Sequence, residues 1–130
     1  MASNLFQRVA IIISIALLMQ LTYCKRKKSI ENFDSDAWVE DQFGCGGDRL
    51  ALMNDFLKVK FKLRGKKTSE IEDILGQPEG IELFKRDQKY YIYYMEPNEN
   101  CESGAKEKPL KLYVRFSAVG IANEFTIRTE

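Results

Sequence analysis

The apolar residues of this chain change their spacing near Gly80, from a helical period to a period of two. Beyond that point four segments are rich in aromatic and β-branched residues, and they cover 81–84, 90–95, 110–116 and 121–127. Such segments are typical of strands, and the short connections after the first and third are typical of hairpins. In the last two segments apolar side chains alternate with polar ones, as in a half-buried strand. We therefore expect an antiparallel sheet of three to four strands.

The segment before Gly80 carries helix signals. Asp48 is a candidate N-cap for a helix over 49–63. The apolar residues of that segment recur at helical spacing and are expected to share its buried face. They are Leu50, Met53, Phe56, Leu57 and Phe61.

A second helix is bounded by clear start and stop signals. Ser69 and Glu72 have the spacing of a capping box, Gly76 is suited to the helix end, and Pro78 prevents continuation. A short leading helix is expected at Asp34 or Ser35. The predicted fold class is therefore α+β, with two helices packed on an antiparallel sheet.

The N-terminus has the features of a secretory signal. Residues 9–21 form a run of thirteen residues that only Ser14 and Gln20 interrupt, whereas a bilayer span needs roughly 20. Cys24 follows the run after Thr22 and Tyr23, so it is a candidate for acylation, as in a bacterial lipoprotein. The alternative is an uncleaved anchor over 5–23. Either interpretation divides the chain into a signal or anchor (1–23), a basic tether (24–32) and one domain (33–130).

Charge and composition exclude several classes of function. The chain has no histidine, which removes the commonest general base and metal ligand, so we expect no enzyme activity, metal site or cofactor. After Cys24 there are 19 basic and 19 acidic residues. Four of the basic residues lie at 25–28, so the chain beyond residue 28 has a formal net charge of −4. Nucleic-acid binding needs a basic domain, so it is not expected. The basic cluster is suited to an anionic membrane surface.

Two cysteines remain if Cys24 is acylated. Cys45 and Cys101 both lie in loop-like contexts, and exported proteins can keep disulfides. We expect these two to be bonded to each other. The alternative is two unpaired small apolar side chains.

Two motifs resemble a known family. Residues 63–78 (LRGKKTSEIEDILGQP) and 112–121 (LYVRFSAVGI) are similar to the helical and closing-hairpin signatures of the SmpA/OmlA (BamE-like) outer-membrane lipoproteins. The resemblance covers about residues 60–128 and implies two helices on an antiparallel sheet, a fold shared with β-lactamase inhibitor proteins. It also implies an envelope location, with β-barrel assembly components as possible partners.

The tyrosine-rich segment 90–94 suggests a binding surface. Alternate residues of a strand face opposite sides, so one of two phases exposes Tyr91 and Tyr93 while the other exposes Tyr90 and Tyr94. Tyrosine and arginine are favoured at protein interfaces. The residues selected for partner binding are Tyr91, Tyr93, Tyr113 and Arg115.

The expected function follows from these features. It is a membrane-anchored, non-catalytic interaction module of the cell envelope, held at the outer membrane and facing the periplasm. The alternative is an inhibitor-like or sensor module that binds an envelope enzyme or ligand through its sheet face.

Overall fold

The computed structural model describes residues 2–19 and 29–129. The first helix, α1 (Ala2–Met19), contains most of the N-terminal apolar run, and its side chains are exposed as far as Ile15. Within the described residues, no helix has both the length and the apolar character required to cross a bilayer. The predicted acylation site at Cys24 and the basic residues 25–28 lie outside the described residues.

Four more helices precede the sheet. They are α2 (Ser35–Glu40), α3 (Asp48–Ala51), α4 (Met53–Leu63) and α5 (Thr68–Leu75), and a 3-10 turn (Gln42–Gly44) lies between α2 and α3. The start of α2 is as predicted, because Asp34 Oδ1 accepts a hydrogen bond from the Ala37 amide at 3.0 Å. The end of α5 is also as predicted, since Gly76 follows it with φ +78°.

Two helix predictions are wrong in detail. The single helix expected over 49–63 is divided at Leu52, and Asp48 is the first residue of α3 rather than its cap. The expected capping pair Ser69/Glu72 is replaced by a bond from the Lys67 amide to Glu70 Oε2 at 3.1 Å. α5 begins earlier because the linker before it pairs with the β3–β4 connection, where the Thr68 amide donates to the Gly120 carbonyl at 3.1 Å.

The buried face of α4 also differs from the expectation. Phe56 is buried as predicted, together with Val59 and Leu63, whereas Leu57 and Phe61 are exposed. Phe56 packs edge-on against Phe125 of the last strand at 6.1 Å between ring centroids. The buried face of α4 is therefore the one that carries Phe56, and Leu57 and Phe61 lie on the exposed side of the helix.

The sheet has four antiparallel strands in sequential order. They are β1 (Gly80–Phe84), β2 (Gln88–Tyr94), β3 (Lys111–Phe116) and β4 (Ala122–Arg128). The β1–β2 turn carries Arg86 and Asp87 at φ +60° and +58°, as a tight hairpin turn requires. The fold is therefore α+β with a four-stranded antiparallel sheet, as the sequence predicts.

The core lies between one face of this sheet and the helices. The side chains that this inner face contributes are Tyr91, Tyr93, Leu112, Val114, Phe116, Phe125 and Ile127. Trp38 stacks on Phe56 at 5.5 Å and is fully buried, so it is part of this core. Ile30 packs against the same core, so the packed residues begin before Phe33.

Candidate functional site

The opposite face of the sheet is lined by aromatic and charged side chains. Residues paired directly across antiparallel strands point to the same side, so the strand register defines this outer face. Its members are Glu82, Phe84, Gln88, Tyr90, Ile92, Tyr94, Lys111, Tyr113, Arg115, Glu124, Thr126 and Arg128.

A row of side chains crosses the outer face from strand to strand. Phe84 on β1 meets Tyr90 on β2 edge-on at 5.6 Å, and Tyr90 meets Tyr113 on β3 at 6.3 Å. Arg128 on β4 completes the row, with its guanidinium 4.3 Å from the centre of the Tyr113 ring. Edge-on rings and a cation over a ring are favourable geometries. These contacts within the row therefore hold its side chains in place in the absence of a partner.

Charged groups flank the row on both sides. Arg115 forms an ion pair with Glu124 at 2.7 Å and a hydrogen bond with Gln88 at 3.3 Å. The Nε atom of Arg115 is buried and has no hydrogen-bond partner among the described residues. On the other side, the ammonium of Lys111 lies 5.1 Å from the centre of the Tyr94 ring. The face thus presents both aromatic and cationic groups to a ligand.

The members of this row differ in exposure. Phe84 is 47% exposed, whereas Tyr113 is only 1% exposed. Tyr90 and Tyr94 are half-buried and Arg128 is exposed. Tyr113 and Arg115 therefore lie on the predicted face. The ring of Tyr113, however, is too deeply buried to contact a partner directly.

The selection of Tyr91 and Tyr93 as surface residues is wrong. β2 adopts the other strand phase, and both rings are buried on the inner face. Tyr91 Oη donates to Glu72 Oε1 at 2.7 Å, and Tyr93 Oη donates to the Gly76 carbonyl at 3.0 Å. The first bond reaches α5 and the second reaches the glycine that ends it, so these hydroxyls attach α5 to the sheet.

Burial changes the acidity of these two phenols. Loss of solvation raises the pKa of Tyr91 to about 12, and the neighbouring Glu72 carboxylate adds to the effect. Burial raises the pKa of Tyr93 still further, assisted by Glu72 and Glu79. Both phenols are neutral at physiological pH and act as hydrogen-bond donors.

A buried ion pair behind the sheet gave no signal in the sequence. The guanidinium of Arg49 lies 2.9 Å from the Glu79 carboxylate, and both side chains are almost fully buried. Arg49 also donates to the carbonyls of Trp38 at 2.8 Å and Tyr94 at 3.0 Å. Because every donor and acceptor here joins separate segments of the chain, we interpret the pair as a structural brace.

The predicted disulfide lies beside this brace. Cys45 and Cys101 are bonded, with their Cα atoms 5.5 Å apart. The Asn98 side-chain amide donates to the Phe43 carbonyl at 2.9 Å. The two links hold the β2–β3 loop against the α2–α3 connection.

One carboxylate fixes the other end of that loop. Glu96 forms an ion pair with Lys106 and accepts from the Leu110 amide at 3.0 Å. The hydrogen bond from Lys106 holds the pKa of Glu96 below its usual range, with a smaller contribution from the Leu110 amide, although burial opposes both. The loop next to the outer face is therefore fixed at both ends.

The described residues contain no cluster of three or more cysteine and carboxylate side chains that could hold a metal ion. Comparison with protein-family models, curated proteins and solved structures finds no match to this chain. The relationship to SmpA/OmlA lipoproteins therefore stays a prediction from two sequence motifs.

Proposed function

We propose that this chain is a membrane-anchored, non-catalytic interaction module of the cell envelope, and that it binds a protein partner through the outer face of the sheet. The observation that carries the proposal is the row Phe84–Tyr90–Tyr113–Arg128, which is ordered by its own ring contacts. Aromatic and arginine side chains dominate binding energy at protein interfaces. An ordered row also loses little conformational freedom on binding.

The chemistry of the face suggests the chemistry of the partner. Among the described residues, the outer face carries three cations (Lys111, Arg115 and Arg128) and two carboxylates (Glu82 and Glu124). It is therefore slightly basic, while the folded part of the chain as a whole is mildly acidic. A partner that presents apolar side chains with carboxylates around them is complementary to this arrangement. The resemblance of residues 63–78 and 112–121 to SmpA/OmlA lipoproteins supports an envelope protein, with β-barrel assembly components as the first candidates.

Anchoring at the membrane is the second part of the proposal. It is supported by the apolar run within α1 and by the cysteine that follows the run at position 24. Acylation of Cys24 and retention of the N-terminal helix are the two routes that the sequence allows. The outer membrane, facing the periplasm, is the location that the family resemblance favours.

The test is affinity purification of the full chain from membranes after chemical crosslinking. The variant Phe84→Ser/Arg128→Glu removes one exposed ring and one exposed cation from the outer face. The matched control Leu83→Ser/Lys108→Glu also replaces one exposed apolar side chain and reverses one positive charge, and Leu83 lies on the same strand but points to the other side of the sheet.

The proposal predicts an envelope protein that is recovered with the wild type and the control and is reduced at least about tenfold with the outer-face variant. Recovery of barrel-assembly components supports the BamE-like role, whereas recovery of a hydrolase supports the inhibitor-like alternative. Equal recovery with both variants, or no enriched partner, contradicts the proposal.

A further inference from the structure

The exposed side of α4 combines apolar and cationic side chains. We call this surface the α4 strip, and its residues are Leu57, Lys58, Lys60, Phe61, Lys62 and Arg64. Phe61 is 67% exposed and Leu57 is 42% exposed, and their spacing of four residues places them on one side of the helix. The buried side of α4 is formed by Phe56, Val59 and Leu63. Leu57 and Phe61 are not part of it.

Positive charge surrounds this apolar pair. Lys58 and Lys62 line one hollow beside Phe61, and Lys60 and Arg64 line another. Asp55 neutralises part of the first group through an ion pair with Lys58 at 3.0 Å. Glu124, which borders the second hollow, is paired with Arg115. The strip therefore keeps an excess of positive charge around a projecting ring.

The N-terminal segment enters the folded part beside the same strip. Asn32 lines the hollow that contains Lys58 and Lys62, and the ring of Phe33 lies 6.0 Å from that of Phe56 on α4. The basic residues 25–28 directly precede Ser29, where the described part of the chain resumes. A membrane that holds the N-terminus thus lies within reach of α4.

We propose that the α4 strip docks on an anionic lipid surface, with Phe61 and Leu57 entering the headgroup region and the lysines facing lipid phosphates. Apolar residues flanked by basic ones are the pattern of helices that lie in a membrane interface. The inference rests on the membrane anchoring proposed above and adds an orientation to it. Because α4 packs on the inner face of the sheet, the docked strip leaves the outer face directed away from the lipid.

The test uses tryptophan quenching by brominated lipid. The full chain is reconstituted in vesicles of brominated phosphatidylcholine, with or without phosphatidylglycerol, as Phe61→Trp or as the matched control Leu83→Trp. Leu83 is 86% exposed and lies on β1, at the opposite edge of the sheet from β4, against which Phe56 of α4 packs. The wild type supplies the background signal, because Trp38 is fully buried.

The inference predicts strong quenching of Phe61→Trp in vesicles with phosphatidylglycerol, weaker quenching without it, and little quenching of Leu83→Trp in either. Adding Lys60→Gln/Lys62→Gln to Phe61→Trp weakens docking about 30-fold for the loss of two charges at an anionic surface. The control Lys85→Gln/Lys108→Gln removes the same charge elsewhere and leaves the quenching unchanged.

Each remaining outcome has a definite meaning. A chain that enters the vesicles but shows equal quenching at positions 61 and 83, or none at 61, overturns the docking of α4 and leaves the proposed anchor intact. A chain that associates with neither kind of vesicle overturns the anchor and this inference together.

Discussion

Replacing Arg49 with methionine tests how the helices are attached to the sheet. The substitution keeps most of the apolar volume of the side chain but removes the cation from a buried ion pair. Three hydrogen bonds disappear, to the Trp38 carbonyl, the Glu79 carboxylate and the Tyr94 carbonyl. The Glu79 carboxylate then stays buried without its cation, although it still accepts from the Tyr94 amide at 3.1 Å and the Phe43 amide at 3.4 Å.

The expected cost follows from leaving that buried carboxylate without a counter-ion. Breaking a buried ion pair by removing one partner typically costs about 3–5 kcal/mol, and domains of this size have a free energy of unfolding of about 5–15 kcal/mol. Arg49→Met is therefore expected to lose about 3–5 kcal/mol. The double variant Arg49→Met/Glu79→Gln is expected to recover about 1–2 kcal/mol, because glutamine carries no charge and can still accept from the Tyr94 amide.

Equilibrium unfolding in guanidinium chloride measures this directly, with Trp38 fluorescence as the signal. Trp38 is the only tryptophan of the chain, and the Arg49 guanidinium lies 5.4 Å from its ring. The control Arg64→Met removes an exposed arginine and is expected to stay within about 0.5 kcal/mol of the wild type. A loss below about 1 kcal/mol for Arg49→Met, or no recovery in the double variant, refutes the reasoning.

Three more predictions use the same unfolding assay. Cys45→Ser/Cys101→Ser opens a loop between residues 56 apart in sequence and is expected to cost about 4 kcal/mol; an unfolding midpoint equal to that of the wild type contradicts this. Gly44→Ala places a Cβ 2.7 Å from opposing backbone at φ +66° and is expected to cost more than about 1 kcal/mol. Gly104→Ala, at φ +72° with open space around it, should cost less, and the reverse order refutes the steric argument. The raised pKa of Tyr91 means that its contribution to stability is complete below pH 10 and is lost as the pH rises through about 12; Tyr91→Phe should flatten that decline, and an unchanged slope contradicts the assignment.

The parts of the fold that local chemistry determines could be predicted from the sequence. Asp34 caps α2 and Gly76 ends α5, because each role depends on residues within one turn of the helix. The alternation in β3 also predicted its buried side, since Lys111 and Arg115 are plainly polar. The pairing of Cys45 with Cys101 followed from the count of cysteines available in an exported chain.

The phase of β2 could not be predicted in the same way. Residues 90–94 carry aromatic or aliphatic side chains at every position, so alternation cannot distinguish the two faces. The deciding contacts are long-range ones, from Tyr91 to Glu72 and from Tyr93 to Gly76. The helical pattern wrongly predicted that Phe61 is buried, for a related reason. In a sequence, an exposed aromatic residue cannot be distinguished from a core residue.

The buried ion pair between Arg49 and Glu79 could not be predicted from the sequence either. Arg49 and Glu79 are 30 residues apart, and no motif links an arginine at a helix start to a glutamate before a strand. Among the 20 basic and 19 acidic residues of the chain, nothing marks these two as buried. Only the packed structure brings them together.

Photo-crosslinking from β1 in isolated membranes tests the central claim most directly. A photoreactive amino acid is placed at position 84 or, as the control, at position 83 of the full chain, two neighbours that point to opposite sides of the sheet. Our account predicts that the chain is recovered in the membrane fraction and that irradiation yields a defined protein adduct from position 84 and not from position 83. Recovery of the chain away from membranes, or equal adducts from the two positions, contradicts it.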